Sequence, residues 1–366
     1  MATPPPPATI TALRQHLLAW FAAHARPLPW RQSYHPYQVW ISEVMLQQTQ
    51  MERGVLYYQR WLERFPGFAQ VAMAGEEEIL KLWEGLGYYS RARNLHALTK
   101  IVMADHGGEL PNTLTGLLAL PGIGKYTARA ILSIAFEQDY PVVDGNVERL
   151  FARLFAIDQP VKSTLAHERI WALAEALLPR GEARTWNQAV MEFGALVCVR
   201  STPRCALCPM TSECQSYQQG ATSQRPVSGP ATKTIPLTFV VAVICDAAGR
   251  IFVRQRPAGE RWAKLWEFPA APLAAGADPA QAVIDAIGQE SGLTITIDRP
   301  LPMVSHSFTK YRAVLHPFRC RLVGTPPPGT TTSRWLSLAD LNGLAFSAGH
   351  RQVITALQGK SPADEP

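Results

Sequence analysis

Cys198-Val-Arg-Ser-Thr-Pro-Arg-Cys205-Ala-Leu-Cys208-Pro-Met-Thr-Ser-Glu-Cys214 sets four thiols at C-x6-C-x2-C-x5-C, directly after a long stretch of helical apolar spacing. Four thiolates are soft ligands and suit zinc or an iron–sulfur cluster. A structural zinc knot is one reading of the segment. Zinc sites usually pair two short C-x2-C hairpins, however, and here only the middle pair is close. Six cysteines in all, four of them clustered, fit a reducing compartment. Cys245 and Cys320 stand in strand-like surroundings and read as small core residues.

Upstream of the cysteines, apolar residues recur at helical spacing from Ile10 to Val197, broken by short Gly, Pro and Asn punctuation. The spacing predicts helices over 37–50, 76–84, 91–104, 125–136, 146–155, 166–178 and 185–197. Residues 1–8 read as a disordered Pro-rich start, without the basic region and apolar core of a secretory signal. Residues 218–236, rich in Gly, Pro, Ser and Thr, read as an interdomain linker. Beyond it the pattern changes. Residues 237–245 and 251–256 are β-branched runs around the hairpin signal Asp246-Ala-Ala-Gly249. Strands are expected over 303–308 and 312–323, and helices over 279–290 and 349–358. The 366 residues therefore divide into a helical domain, 9–217, with its cysteine loop at 198–214, and an α+β domain, 237–360.

The net charge is +6, with +2 carried up to residue 230 and +4 beyond it. Such a balance permits nucleic-acid binding without demonstrating it, so local patches and helix N-termini must supply most of any attraction. No apolar run reaches membrane-spanning length. One candidate patch is Leu120-Pro-Gly-Ile-Gly-Lys125-Tyr-Thr-Ala128, which leaves one helix and enters another. Gly122 and Gly124 allow a tight hairpin and close backbone approach. The helix start leaves free N–H groups and a dipole that favours an anion, so a DNA phosphate can be held without reading sequence, and Lys125 adds charge. An ordinary helix–helix turn is the alternative for this motif taken alone.

Three motifs together carry a resemblance. Leu120-Pro-Gly-Ile-Gly124 resembles the helix–hairpin–helix of the endonuclease III superfamily. Val143-Asp144-Gly145-Asn146-Val147 resembles its aspartate segment, and the cysteine spacing resembles its 4Fe–4S loop. Within the superfamily, Arg26-Pro-Leu-Pro-Trp-Arg31, Trp40-Ile-Ser-Glu43-Val-Met-Leu-Gln-Gln-Thr-Gln50 and Gly85-Leu-Gly-Tyr-Tyr-Ser-Arg-Ala-Arg-Asn94 look like the MutY family of adenine DNA glycosylases. The likeness runs almost continuously from residue 26 to 214. It implies an all-α helix–hairpin–helix glycosylase domain with an iron–sulfur loop, followed by an α+β Nudix-like (MutT-like) domain. It implies a 4Fe–4S cluster on Cys198, Cys205, Cys208 and Cys214. The implied partner is double-stranded DNA holding 8-oxoguanine:adenine or guanine:adenine mispairs. A monomer in the prokaryotic cytosol or nucleoid, away from any membrane, is the expected setting.

Cutting the bond between adenine and deoxyribose requires that the leaving base take a proton and that positive charge on the sugar be stabilised. Two carboxyls in opposed environments can do this. Glu43 lies in an apolar helical segment, where burial raises a carboxyl pKa and keeps a proton available. Asp144 precedes a helix start, whose N–H donors favour an ionised carboxylate. Read alone, Asp144 is equally a helix N-cap and Glu43 a solvated helix position. The resemblance implies that Glu43 protonates adenine N7, that Asp144 stabilises the oxocarbenium ion or forms a transient adduct, and that Tyr126 and Asn146 support them. It implies that Arg26, Leu28, Trp30, Arg31 and Gln188 line the adenine pocket, and that Gln48 and Tyr88 wedge into the duplex. Leu28 and Trp30 also suit plain core packing. In endonuclease III the second residue after the hairpin's last glycine is a Schiff-base lysine. Here it is Tyr126, a phenol that cannot form the imine, with Lys125 one residue (about 100°) out of register. A monofunctional glycosylase that leaves an abasic site is therefore expected, over an endonuclease III-like lyase or a catalytically silent mismatch binder.

The second domain resembles a Nudix fold whose catalytic box has eroded. In Asp285-Ala-Ile-Gly-Gln-Glu290-Ser-Gly-Leu293 only Glu290 survives of three glutamates, and one carboxylate is a poor magnesium site. Recognition of 8-oxoguanine, rather than nucleotide hydrolysis, is what the resemblance implies. His306-Ser-Phe308-Thr309-Lys310 aligns with the family's reading loop H-x-F-[ST]-H. Phe308 and Thr309 keep that pattern, whereas Lys310 replaces the second histidine and brings a charged donor without ring or acceptor. Glu148 is a second departure, since relatives often carry a basic residue there.

Overall fold

The computed structural model describes residues 5–230 and 233–359. Contacts divide it into two compact units, Met1–Met73 with Asn94–Ala231, and Ala74–Arg93 with Thr232–Pro366. The helices run in order α1 (Pro7–His24), α2 (Pro36–Leu46), α3 (Met51–Arg64), α4 (Phe68–Met73), α5 (Glu76–Leu82), α6 (Ser90–Asp105), α7 (Leu114–Leu118), α8 (Lys125–Ile134), α9 (Gly145–Leu154), α10 (Thr164–Leu177), α11 (Ala183–Leu196) and α12 (Gln215–Gln218).

In the first unit, α9 is the central strut. Its apolar face, with Val147, Leu150, Phe151 and Leu154, packs into one cluster with Leu13 and Leu17 of α1, Ile170 of α10, and Trp186 and Phe193 of α11. Each such fully buried side chain stabilises by roughly 1.5–3 kcal/mol. A second cluster joins Val39 of α2 to Ala130 and Ile134 of α8, and so holds the helix bearing Glu43 against the helix bearing Tyr126. Two glycines set close approaches. A Cβ at Gly194 would lie 2.8 Å from Asn146 Cβ, so α11 can pass α9 there only without a side chain. A Cβ at Gly54 would meet Leu46 at 2.5 Å, which explains a difference from the expected helix over 37–50. The chain turns at residues 47–50, with Gln48 at φ 59°, so that α3 can fold back on the end of α2.

Other boundaries also shift. Order begins inside the segment expected to be disordered, because Pro7 starts α1 at a position where its missing N–H and fixed φ suit a helix; residues 1–4 lie outside the described residues. The expected linker is partly docked. Buried Arg153 donates to the carbonyls of Thr222 (3.0 Å) and Arg225 (2.8 Å), Arg225 pairs with Asp158, and Val161 N–H donates to the Val227 carbonyl at 3.0 Å. Residues 231–232 and 360 are outside the described set, and the first strand starts at Ile235.

The second unit is an eight-stranded sheet: β1 (Ile235–Cys245), β2 (Ile251–Gln255), β3 (Trp266–Glu267), β4 (Ala270–Pro272), β5 (Thr294–Pro300), β6 (Val304–Phe308), β7 (Tyr311–Val323) and β8 (Ser333–Leu336). The order is β3-β2-β1-β7-β5, with β4 on β1, β6 on β7 and β8 on β2. β1 and β7 are parallel from Ile235↔Tyr311 to Cys245↔Arg321, and the other pairs are antiparallel. Alternate residues of β1 serve both faces. Val240, Ala242 and Ile244 pack under α13 (Pro279–Ser291), and Val241 and Val243 under α14 (Ala348–Leu357). Burial on both sides is why β1 reads as a continuous apolar run. Residues 74–93, placed by sequence within the helical stretch 9–217, pack with this second unit, where Glu77 and Glu84 accept hydrogen bonds from Trp266, Arg334 and Arg351.

Candidate active site

A cavity of about 850 Å³ opens in the first unit among α2, α8, α9, α11 and the Arg26–Arg31 stretch. It gathers Glu43, Tyr126, Asp144, Asn146, Arg26, Leu28, Trp30, Arg31, Gln48, Gln188, Gly122 and Gly124, residues that span more than a hundred and sixty positions of sequence. Leu28 and Trp30 are also buried, with Trp30 edge-on to Tyr58, so wall and core are one surface here.

Burial pushes the Glu43 carboxyl up to about 7, and the nearby Asp144 charge adds to this, while the Tyr126 hydroxyl and Arg31 work against it. Asp144 is the N-cap of α9. Its carboxylate accepts from the backbone N–H of Asn146 (2.9 Å) and Val147 (2.8 Å) and from Asn146 Nδ2 (2.7 Å). These donors favour the ionised form, as expected at a helix start, but burial outweighs them and raises the pKa. What separates the two acids is their supply of donors to the charged form. Asp144 has three such hydrogen bonds and Arg149 nearby, whereas Glu43 has the Tyr126 hydroxyl. The charged form is thus better supplied with donors at Asp144 than at Glu43. Burial and the two carboxylates push the Tyr126 phenol well above its ordinary value, so it remains a donor.

Opposite the carboxyls, Glu192 ties the wall together. It accepts from Arg26 N–H (3.0 Å), Arg26 Nε (2.9 Å) and Arg31 (2.8 Å), and Arg31 Nε donates to Gln188 at 2.8 Å. Burial alone would raise Glu192, but the hydrogen bonds from Arg26 and Arg31 bring it down to about 2. At the hairpin, Gly122 takes φ 79°, and a Cβ there would stand 2.7 Å from Asn94 Cβ, so only glycine fits. No side chain caps α8, which leaves its first N–H groups for an anion. Lys125 does not line the carboxylate cavity. It lines an adjoining one with Arg129, His167 and Trp171, and Tyr126, Val143 and Glu148 line both. Glu148 bonds Lys162 at 2.7 and 3.0 Å on the cavity rim, which gives this departure a partner.

Cys198, Cys205, Cys208 and Cys214 are all free thiols and line one small cavity with Leu150 and Arg153. Arg153 donates to Cys198 Sγ at 3.3 Å, and Arg149 bonds both the Cys198 carbonyl (2.7 Å) and Asn146 Oδ1 (2.9 Å). Among the described residues, no three His, Cys, Asp or Glu side chains converge as ligands of a single metal ion. The donor set still fits a thiolate-bound group. Burial, with repulsion among the thiolates, holds Cys198, Cys208 and Cys214 in the neutral form, a cost that a bound cationic centre removes.

In the second unit, Tyr88 is exposed at φ 47°. Glu290 pairs with Arg254 at 3.0 Å. Phe308 and Tyr311 close a β-hairpin around Thr309 and Lys310, with Thr309 at φ 47°. Trp262 packs on Phe308 at 4.6 Å, and Arg261 lies over the Tyr311 ring at 4.2 Å and Lys310 over it at 5.6 Å. Gln48, Tyr88 and Thr309 are among eight described non-glycine residues that take a left-handed backbone.

Residues 41–175 match the family described as HhH-GPD superfamily base excision DNA repair protein, and residues 240–356 match the NUDIX domain family. The human adenine DNA glycosylase is 33% identical over 97% of this chain and 76% of its own length. The adenine DNA glycosylase of Rattus norvegicus is 34% identical, over 95% of this chain and 78% of its own. The chain belongs to the adenine DNA glycosylase family. Among solved structures, a thermostable thymine-DNA glycosylase is 29% identical with a TM-score of 0.54, over 58% of this chain and 98% of that one. A non-covalent endonuclease III–DNA complex, at 23% identity and a TM-score of 0.51 over 60% of this chain and 99% of that one, shares the fold.

This glycosylase is therefore a base-excision-repair hydrolase that acts on DNA, built from a helix–hairpin–helix domain and a Nudix domain. None of its described helices is long and apolar enough to cross a membrane. Sequence reading missed Glu192, Arg149 and Arg153. The signal was present: Glu192 follows Gln188 by one helical turn on α11, and Arg149 and Arg153 share one face of α9.

Proposed function

We propose that this glycosylase removes adenine from 8-oxoguanine:adenine and guanine:adenine mispairs, hydrolysing the N-glycosidic bond and leaving an abasic site without cutting the strand. The observation that carries the reading is the proton-holding Glu43 beside a donor-rich Asp144 in one cavity, with a phenol where a lyase has its amine.

Adenine leaves its stack to reach such a cavity, where Leu28, Trp30 and the Arg26–Glu192–Arg31–Gln188 network form the walls. Glu43 gives its proton to adenine N7 as the C1′–N9 bond breaks and the bonding pair passes to the base. The Asp144 carboxylate, steadied by Asn146 and the α9 N–H groups, faces the cationic sugar or bonds C1′ transiently. Water then adds to C1′, and its proton returns to Glu43. Gly122, Gly124 and the uncapped α8 start hold a phosphate beside the lesion. Tyr126 cannot form an imine, and Lys125 lines the adjoining cavity and not the one that holds Glu43 and Asp144, which supports hydrolysis without lyase action. Cys198, Cys205, Cys208 and Cys214 would hold the 4Fe–4S cluster, which supplies a rigid fully ligated anchor for the loop and no electrons to base excision. That loop carries exposed Arg200 and Arg204, suited to phosphates.

In the second unit, Glu290 is taken by Arg254, which supports reading of the opposite base over magnesium-dependent hydrolysis. The deciding experiment is a single-turnover incubation with a labelled duplex holding one 8-oxoguanine:adenine pair, developed with and without alkali. Strand cleavage only after alkali is expected, and Glu43→Gln should abolish it. Cleavage without alkali overturns the monofunctional reading, and tight binding without product overturns the enzymatic role of these residues.

A further inference from the structure

The segment 74–93, which carries Tyr88, packs with the second unit. The ties are specific. Glu84, 13% exposed, accepts from Phe346 N–H at 3.0 Å and from Arg351 Nε and Nη2 at 2.8 and 3.1 Å, and it also pairs with Lys81. Glu77 accepts from Trp266 Nε1 at 2.9 Å and from Arg334 at 3.1 Å. The Tyr89 hydroxyl donates to the Phe346 carbonyl at 3.1 Å. Arg93 donates to the Ala263 carbonyl at 3.0 Å, one residue from Trp262, whose ring packs on Phe308. Around Tyr88 itself, Gly85 and Gly87 take positive φ, and Trp83 Nε1 and Arg91 both bond the Gly87 carbonyl, at 3.1 and 3.2 Å. The Arg91 guanidinium lies 5.5 Å from the Tyr88 ring. The tyrosine thus projects from a turn fastened on both sides to the body that bears the Phe308–Lys310 hairpin.

We propose that Glu84 is a positioning residue for Tyr88. By bonding the tyrosine's segment to the unit that reads the opposite base, it makes insertion into the duplex and recognition of the lesion depend on one another. The inference rests on the proposed reading of 8-oxoguanine. Glu84 Oε1 accepts from both the Phe346 N–H and Arg351 Nε, so loss of its charge weakens both ties together.

The test uses the full chain with its cluster. Single-turnover adenine excision is followed on 8-oxoguanine:adenine and guanine:adenine duplexes carrying 2-aminopurine beside the opposite base, whose fluorescence reports unstacking. The natural protein is compared with Tyr88→Ala, Glu84→Gln, Arg351→Gln and the charge swap Glu84→Arg with Arg351→Glu. Glu84→Gln and Arg351→Gln should each slow excision on the 8-oxoguanine duplex by about tenfold, slow it less on the guanine duplex, and move the fluorescence toward that of Tyr88→Ala. The swap should restore part of both. Equal slowing on the two duplexes with fluorescence like the natural protein's would reduce Glu84 to a fold-holding role and overturn the proposal, as would no change. If Glu84→Gln fails to fold, Arg351→Gln and the swap decide by the same readouts. A natural protein that treats both duplexes alike defeats the opposite-base reading by itself, and the fluorescence then still decides whether Glu84 sets Tyr88.

Discussion

Replacing Glu43 with Gln should cost activity and return stability, each with its own pH dependence. The structure raises this carboxyl from 4.5 to about 7, which penalises its ionised form by about 3 kcal/mol in the folded state. The sign follows from linkage. Below pH 4.5 the group is protonated folded and unfolded and contributes nothing. Between the two values the folded state binds the extra proton, so stability falls as pH rises, and above about 7 the whole penalty is present. Glu43→Gln removes the charge and keeps the shape. It should therefore stabilise the first unit at pH 8 by up to about 3 kcal/mol, and by about 2 kcal/mol less at pH 5.5. Denaturant unfolding of both proteins at the two pH values measures the difference. Activity should run the other way. The proton-bearing fraction of Glu43 is about nine-tenths at pH 6, half at pH 7 and a tenth at pH 8. The single-turnover rate of the natural protein should then be level below pH 6 and fall about fivefold from pH 7 to 8. A rate that stays flat from pH 7 to 9, or a Glu43→Gln variant no more stable at pH 8 than its parent, would refute Glu43 as the buried acid.

Four further substitutions have expected outcomes. Lys310→His should raise the ratio of excision rates on 8-oxoguanine:adenine over guanine:adenine, because a ring with an acceptor replaces a bare ammonium; single-turnover rates on both duplexes measure it, and an unchanged ratio counts against a reading role at 310. Cys205→Ala should lower the folded yield or DNA affinity, as seen in purified yield, iron content and a binding titration, and full activity without iron would contradict the anchoring role. Gly122→Ala should cost roughly 1–3 kcal/mol and weaken DNA binding, because its φ is 79° and the new Cβ meets Asn94 at 2.7 Å. Gly124→Ala meets nothing within 4 Å, so it should leave the melting temperature near the parent's and change affinity only if the phosphate comes within reach of that Cα.

The parts of the fold that follow local rules were legible in the sequence. The periodicity of 166–178 and 146–155 lies within two residues of α10 and α9, and the β-branched run at 237–245 is the core of β1. Local rules failed where a distant contact decides. The helix expected through Gln50 ends at Leu46 because α3 returns onto it at Gly54, a fact no window around residue 46 contains. Residues 218–236 look like a linker by composition, but Arg153, buried on α9, needs carbonyl partners and takes those of 222 and 225. Segment 74–93 lies by sequence inside the helical stretch of the first domain, and it is distant partners that attach it to the second unit: Glu77 to Arg334, Glu84 to Arg351, Tyr89 to Phe346 and Arg93 to Ala263.

The site was legible as residue types and not as electrostatics. Sequence supplied an acid on an apolar helix and an acid at an N-cap, and the N-cap rule alone predicts a depressed pKa for the second. The enclosure formed by α2, α8, α9 and α11 reverses that sign, since desolvation grows with how much protein surrounds a carboxylate, whereas the cap supplies only the donors of one helix turn. Both acids are thus raised, and the division of labour comes from the difference between them. Asp144 has three hydrogen bonds to its charged form and Glu43 faces one hydroxyl. Asn146 contributes two of the three, one from its backbone and one from its side chain, and it keeps its place because Gly194 leaves room for it. A side chain at 194 would displace Asn146, strip donors from Asp144 and drive that carboxyl further up. The two acids would then compete for the same proton, and the anionic member needed opposite the cationic sugar would be lost.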